Sequence, residues 1–193
     1  MGYYASIFNA GVAIDAGSVV DVGTFDQAGT TAYVTGVSNS AKDPLGMAYA
    51  AIKGLVSGTA DALGVAEVFG VVNAASGGEA VIELSESAEV IAEGTSANDI
   101  ATAVAVDNTN SAGLAKGVVA GAGRVTAFAE GALDTDATGF SNASANGNAA
   151  LYLAETGSVS ATGISDTASA EVKALNNLAN DGDAYVELLD ASL

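Results

Sequence analysis

The chain has 193 residues, with Lys+Arg 5 against Asp+Glu 23, a formal charge of −18, and 50% of its residues hydrophobic. His, Cys and Trp are absent, which removes imidazole bases, thiolate nucleophiles, disulfides and the usual zinc and copper ligands together. So acidic a surface repels phosphate backbones and anionic headgroups, and no uncharged apolar run approaches the roughly 20 residues that span a bilayer, so neither nucleic-acid binding nor membrane insertion is expected.

Residues 1–11 read as an N-terminal arm. Tyr3, Tyr4, Ile7 and Phe8 crowd its first eight positions, and Gly11 follows as a hinge. An apolar segment of this kind needs a burial place, either as the first core strand or as a strand donated to a neighbouring subunit. The arm has neither the basic region nor the continuous apolar region of a standard signal peptide.

Residues 12–193 read as a single β domain. Ala32–Thr35 is its first alternating segment. After Pro44, a stretch rich in Ala, Met and Leu predicts one short helix near 45–70, weakened by Gly54, Gly58 and Gly64. Beyond it, Val81–Leu84, Ala103–Val106, Leu151–Leu153 and Tyr185–Leu188 are short, alternating and β-like, with Gly, Asn, Asp and Ser gathered between them.

From about residue 80 a weak repeat is visible. Strand-like segments end at Glu86, Asp107, Glu130, Glu155 and Asn177, a spacing in the low twenties. Stacked β-solenoid rungs produce such a period, and a core of Ala, Val, Ser and Thr suits a narrow solenoid interior. A β-sandwich or jelly roll with regular turns satisfies the same pattern. The spacing and small-residue strands resemble secreted β-solenoid repeat proteins of the adhesin or filament-subunit type. The C-terminal AYVELLDASL is similar to the uncleaved export signals of one-step secretion, and a buried last strand is the competing reading.

Carboxylates dominate the available chemistry. Asp134 and Asp136, ahead of Gly139, begin like a calcium loop, in which alternate oxygen ligands converge on a hard cation. Asp107 with Asn108 and Asn110, and Asp181 with Asp183 around Gly182, are similar oxygen-rich segments expected to form turns. If such turns stacked along one edge, calcium or high salt would offset their repulsion, so calcium is the one cofactor considered. Asn142-Ala143-Ser144 fits the N-glycosylation pattern. Gly121-Ala122-Gly123 lacks the rest of a dinucleotide fingerprint. No catalytic residues are assigned, and an enzyme is not expected.

The expected role is mechanical: a structural subunit of an extracellular or cell-surface filament, sheath or surface layer, partnered by copies of itself through strand exchange or edge stacking. Two alternatives stand beside it, an adhesin, carbohydrate- or ice-binding β module and a viral tail or capsid component.

Overall fold

The computed structural model describes residues 9–26, 31–154 and 156–189, and among them there are sixteen β-strands and no helix. The strands follow a three-sided coil. The first turn is β1 (Ala10–Ile14), β2 (Val19–Asp26) and β3 (Thr31–Ala41); the second is β4 (Ala48–Ile52), β5 (Leu55–Ala62) and β6 (Val65–Ala75). The third comprises β7 (Glu79–Leu84), β8 (Glu89–Ser96) and β9 (Ala101–Asn110), and the fourth β10 (Leu114–Val119), β11 (Arg124–Gly131) and β12 (Thr135–Ser144). The fifth is β13 (Ala149–Ala154), β14 (Ser158–Ser165) and β15 (Ala170–Ala179), and β16 (Ala184–Leu189) opens a sixth.

Each side of the coil is one sheet: A in the order β1-β4-β7-β10-β13-β16, B of β2-β5-β8-β11-β14, and C of β3-β6-β9-β12-β15. Every described pairing is parallel. That defines a β-solenoid of about five turns and overturns the sandwich and jelly-roll alternatives, whose strands pair antiparallel.

Parallel stacking puts like positions in rows. Sheet B carries Val56, Val90, Val125 and Val159 in one inward row, and sheet A carries Ile52, Leu84, Val119 and Leu153 in another. The three walls stand so close that small side chains fill the space between them, which is why Ala and Val make up most of the buried core. One larger residue shows how tight the fit is. Phe140 takes the row position of Val71 and Val106, and the neighbouring sheet-A position is Gly117, where a Cβ would lie 2.7 Å from the Phe140 ring.

Sheet C is bent. Its strands lose strict alternation in the middle, with Gly36 and Val37 both buried, and pairing skips that position. A Cβ on Gly36 would meet Gly70 O at 2.6 Å, and one on Gly139 would meet Ala174 O at 2.7 Å. The bend folds the second half of sheet C over sheet A. There it encloses a second, separate cluster of alanines, Ala10, Ala41, Ala48, Ala75 and Ala80.

Two expectations are corrected here. The stretch 45–70 is not helical: it forms β4, β5 and the first part of β6, because each of these strands has in-register parallel partners on both sides, and its alanines match the narrow core. The repeat is also longer than the low twenties, since successive equivalent residues lie 34 or 35 apart. The shorter spacing is two thirds of a turn: it sampled every second strand, namely β7, β9, β11, β13 and β15, and stepped from sheet to sheet.

Candidate functional site

Within the fold, the most ordered chemical feature is a row of five asparagines, Asn39, Asn73, Asn108, Asn142 and Asn177, one from each strand of sheet C. The bend aims them inward at sheet A. Each Nδ2 donates to the Oδ1 of the next asparagine, at 2.7 Å from Asn39 to Asn73, 2.8 Å from Asn73 to Asn108, and 2.7 Å for the following two steps. The same groups donate to two successive sheet-A carbonyls, as when Asn108 reaches Ala80 O and Lys116 O, each at 3.1 Å. A buried amide without partners costs about 1–3 kcal/mol, so a fully used ladder both ties sheet C to sheet A and penalises any slip in register.

The two ends of the ladder differ. At the head, Asn39 is 1% exposed and its Oδ1 has no hydrogen-bond partner among the described residues. At the tail, Asn177 Nδ2 keeps its two carbonyl partners, Ala149 O and Tyr185 O, but no further described asparagine follows it.

The ends of the coil differ in the same way. In the last turn, side chains occupying inward rows are in the open: Val172 is 45% exposed, Val186 48% and Leu188 74%, whereas Val68 and Leu151 in the same rows are 0% exposed. At the head, a cleft of about 310 Å³ opens at the corner between β1 and β2, lined by Val12, Ile14 and Val20 among others. Among the described residues, the outermost strands are β1, β2 and β3 at the head and β14, β15 and β16 at the tail.

Along the flank, the bend of sheet C makes a groove of about 340 Å³ lined by Thr35, Ser38, Phe69, Val72 and Asp107. Burial pushes the Asp107 carboxyl above the ordinary carboxylate value, and the Ser141 side chain beside it opposes that shift. Asp107 was expected in a turn. It lies inside β9, pointing outward, and Asn108 and Asn110 point inward from the same strand.

Of the other aspartates singled out, Asp134, Asp181 and Asp183 sit at corners and Asp136 in a strand. Asp134 joins sheets B and C, and its Oδ1 accepts from Ser169 N at 3.2 Å and Ser169 Oγ at 2.8 Å. Asp136, in β12, is stacked between Thr102 and Glu171. Asp181 and Asp183 lie between β15 and β16; their neighbours one turn earlier are amides, with Asp183 N donating to Asn148 Oδ1 at 3.0 Å. The fold therefore brings Asp134 near Asp136 and Asp181 near Asp183 but leaves Asp107 apart. No group of three or more acids arranged to hold a metal ion occurs among the described residues. Tyr3, Tyr4, Ile7 and Phe8 lie outside the described residues.

The glycosylation triplet is absorbed by the ladder. Asn142 is fully buried, and its Nδ2 donates to Ala115 O, Ala150 O and Asn177 Oδ1. Gly121 of the GxG pair is a corner residue with φ 61°, in a conformation shared by Gly17 and, at a backbone cost, by Glu86. The ladder itself was missed, although its signal was present: asparagine recurring at 34 or 35 residues in five strands of one pattern.

Three stacked parallel sheets and a bonded polar row define the class, a β-solenoid. No protein-family model, curated protein or solved structure matches the chain.

Proposed function

We propose that the chain is a structural subunit of an extracellular filament, sheath or surface layer, assembled from copies of itself by edge stacking or strand exchange. The supporting observation is the exposure of the last described strands, where Val172 of β15 and Val186 and Leu188 of β16 stand in solvent at rows buried elsewhere. Solenoid ends need covering because each turn buries its apolar face only against its neighbours. With a formal charge of −18 per copy, association must work against repulsion, so it strengthens as salt screens the acids.

The test is negative-stain electron microscopy with light scattering, across a salt series and with calcium or chelator. Ordered filaments or sheets that grow with ionic strength support the role. Loss on chelation at constant ionic strength would assign cations to the acidic corners, and monomers under every condition would refute the structural role.

A second reading, a ligand-binding module, is favoured by the sheet-C groove, where Phe69 and Val72 lie beside a half-buried carboxylate. Binding of oligosaccharide at that groove by a chain that never assembles would select it.

A further inference from the structure

Resting on the ligand-binding reading of the sheet-C groove and not on the filament role, we infer that the groove takes a small organic cation. The ligand class is an ammonium group on a short aliphatic body, with Asp107 as its counter-ion. The bend of sheet C sets two outward rows facing each other across the groove. Thr35 and Phe69 belong to one, and Ser38, Val72 and Asp107 to the other, in register on β3, β6 and β9. The space between them, about 340 Å³, crosses three strands, or about 10 Å along the coil. Hydroxyls stand at its β3 end, apolar side chains in the middle on β6, and the carboxylate at its β9 end.

Asp107 is the charged member of this lining, and the chain gives it no cation. Of the five basic residues, Lys53 is bonded to Glu86 at 2.9 Å, Lys173 to Glu171, and Lys116 lies over the Tyr152 ring. No cation stands within ion-pair distance of Asp107 among the described residues. Ser141 of the next turn offers it a hydroxyl, which leaves most of the acceptor capacity of a carboxylate unused. Burial without a cation is what raises its carboxyl. An ammonium group supplies both missing parts, a positive charge and three N–H donors. One turn away, Phe69 and Val72 give the hydrocarbon body an apolar bed, and an aromatic ring attracts cations as well. A bare metal ion fits poorly, because hard cations gather roughly six oxygens and this groove is walled by apolar groups. Anions are repelled by a chain of formal charge −18.

Hexylammonium chloride is the probe, titrated into the full chain at constant ionic strength and followed by NMR shifts at Phe69 and Val72. It should bind one to one and saturate. Asp107→Asn, with its fold checked by circular dichroism, should weaken binding about tenfold or more, as loss of a charge-assisted hydrogen bond does. Hexanol, with the same body and no charge, should bind the wild type more weakly by a similar factor. Glu93→Gln removes one exposed charge from the outer face of sheet B and should leave the affinity unchanged. Equal weakening by Glu93→Gln and Asp107→Asn would mean diffuse attraction to an acidic surface and would overturn the inference. Hexanol binding as tightly as hexylammonium, or a groove that takes cellohexaose and not hexylammonium, would overturn it while leaving the ligand-binding reading standing. A groove that responds to none of these probes would overturn both.

Discussion

The third and fifth turns are built from the same rows, yet only the third is finished. Val90 and Val159 are equivalent, as are Asn108 and Asn177. Val90 and Asn108 are wholly buried between turns on either side, whereas Val159 and Asn177 are half-buried and, among the described residues, have a neighbouring strand on one side only. In a solenoid, then, the worth of a residue depends less on its type than on how many turns flank it. Identical substitutions made in the two turns measure that dependence.

The largest contrast is expected at the ladder. Asn108→Leu strands the Oδ1 acceptor of Asn142 in the dry interior, takes their side-chain donor from two sheet-A carbonyls, and leaves Asn73 Nδ2 with Ala48 O and Val81 O alone. Urea unfolding should show a loss of about 4 kcal/mol, against about 1 kcal/mol for Asn177→Leu. Equal losses would break the comparison. Next comes the pair at the fourth turn. Gly117→Ile drives a side chain into Phe140 and should cost about 3 kcal/mol, and adding Phe140→Val, which restores the Ile82 and Val106 pairing of the third turn, should recover at least half. Additive losses in that cycle would show that the two sites do not share one space.

A smaller contrast lies in sheet B, where Val90→Ala should cost about 2 kcal/mol and Val159→Ala less than about 1 kcal/mol. The smallest effect concerns Asp107. Its carboxyl is raised in the folded chain, chiefly by burial, so the folded state holds the proton more tightly than the unfolded one. Stability is therefore lost as pH climbs from the ordinary carboxylate value through the raised one. Asp107→Asn should raise the melting temperature by about a degree or two at pH 7, with the gain vanishing below about pH 4. A gain independent of pH would assign the effect to packing instead.

Much of the β structure was legible. Val81–Leu84, Ala103–Val106, Leu151–Leu153 and Tyr185–Leu188 are all strand, because alternation and turn chemistry are local properties. The turn length was not, because the segments that stand out as strands, β7, β9, β11, β13 and β15, are every second one, and the intervening strands blend into Gly- and Ser-rich background. The false helix has a similar cause. Ala50, Ala51 and Leu55 favour a helix in isolation, and only in-register neighbours a turn away make them strand. Asn108 and Asn110 looked like turn residues because asparagine favours turns on its own; their partners lie a full turn distant. Asp134, Asp181 and Asp183 lie at corners between strands, whereas Asp136 lies inside β12 and Asp107 inside β9, where its place depends on the bend at Ala105.

Because neighbouring turns meet through the same rows in the same register, a whole turn is a unit that a gene can gain or lose. Removing 35 residues, from Ala80 through Leu114, would bring Asn73 against Asn142 and Ile52 against Val119, row meeting row. The rod would be shorter by about 4.8 Å, the spacing between strands, and otherwise of the same kind. The coil is in that sense a ruler, and its length is written in the number of times one pattern is copied.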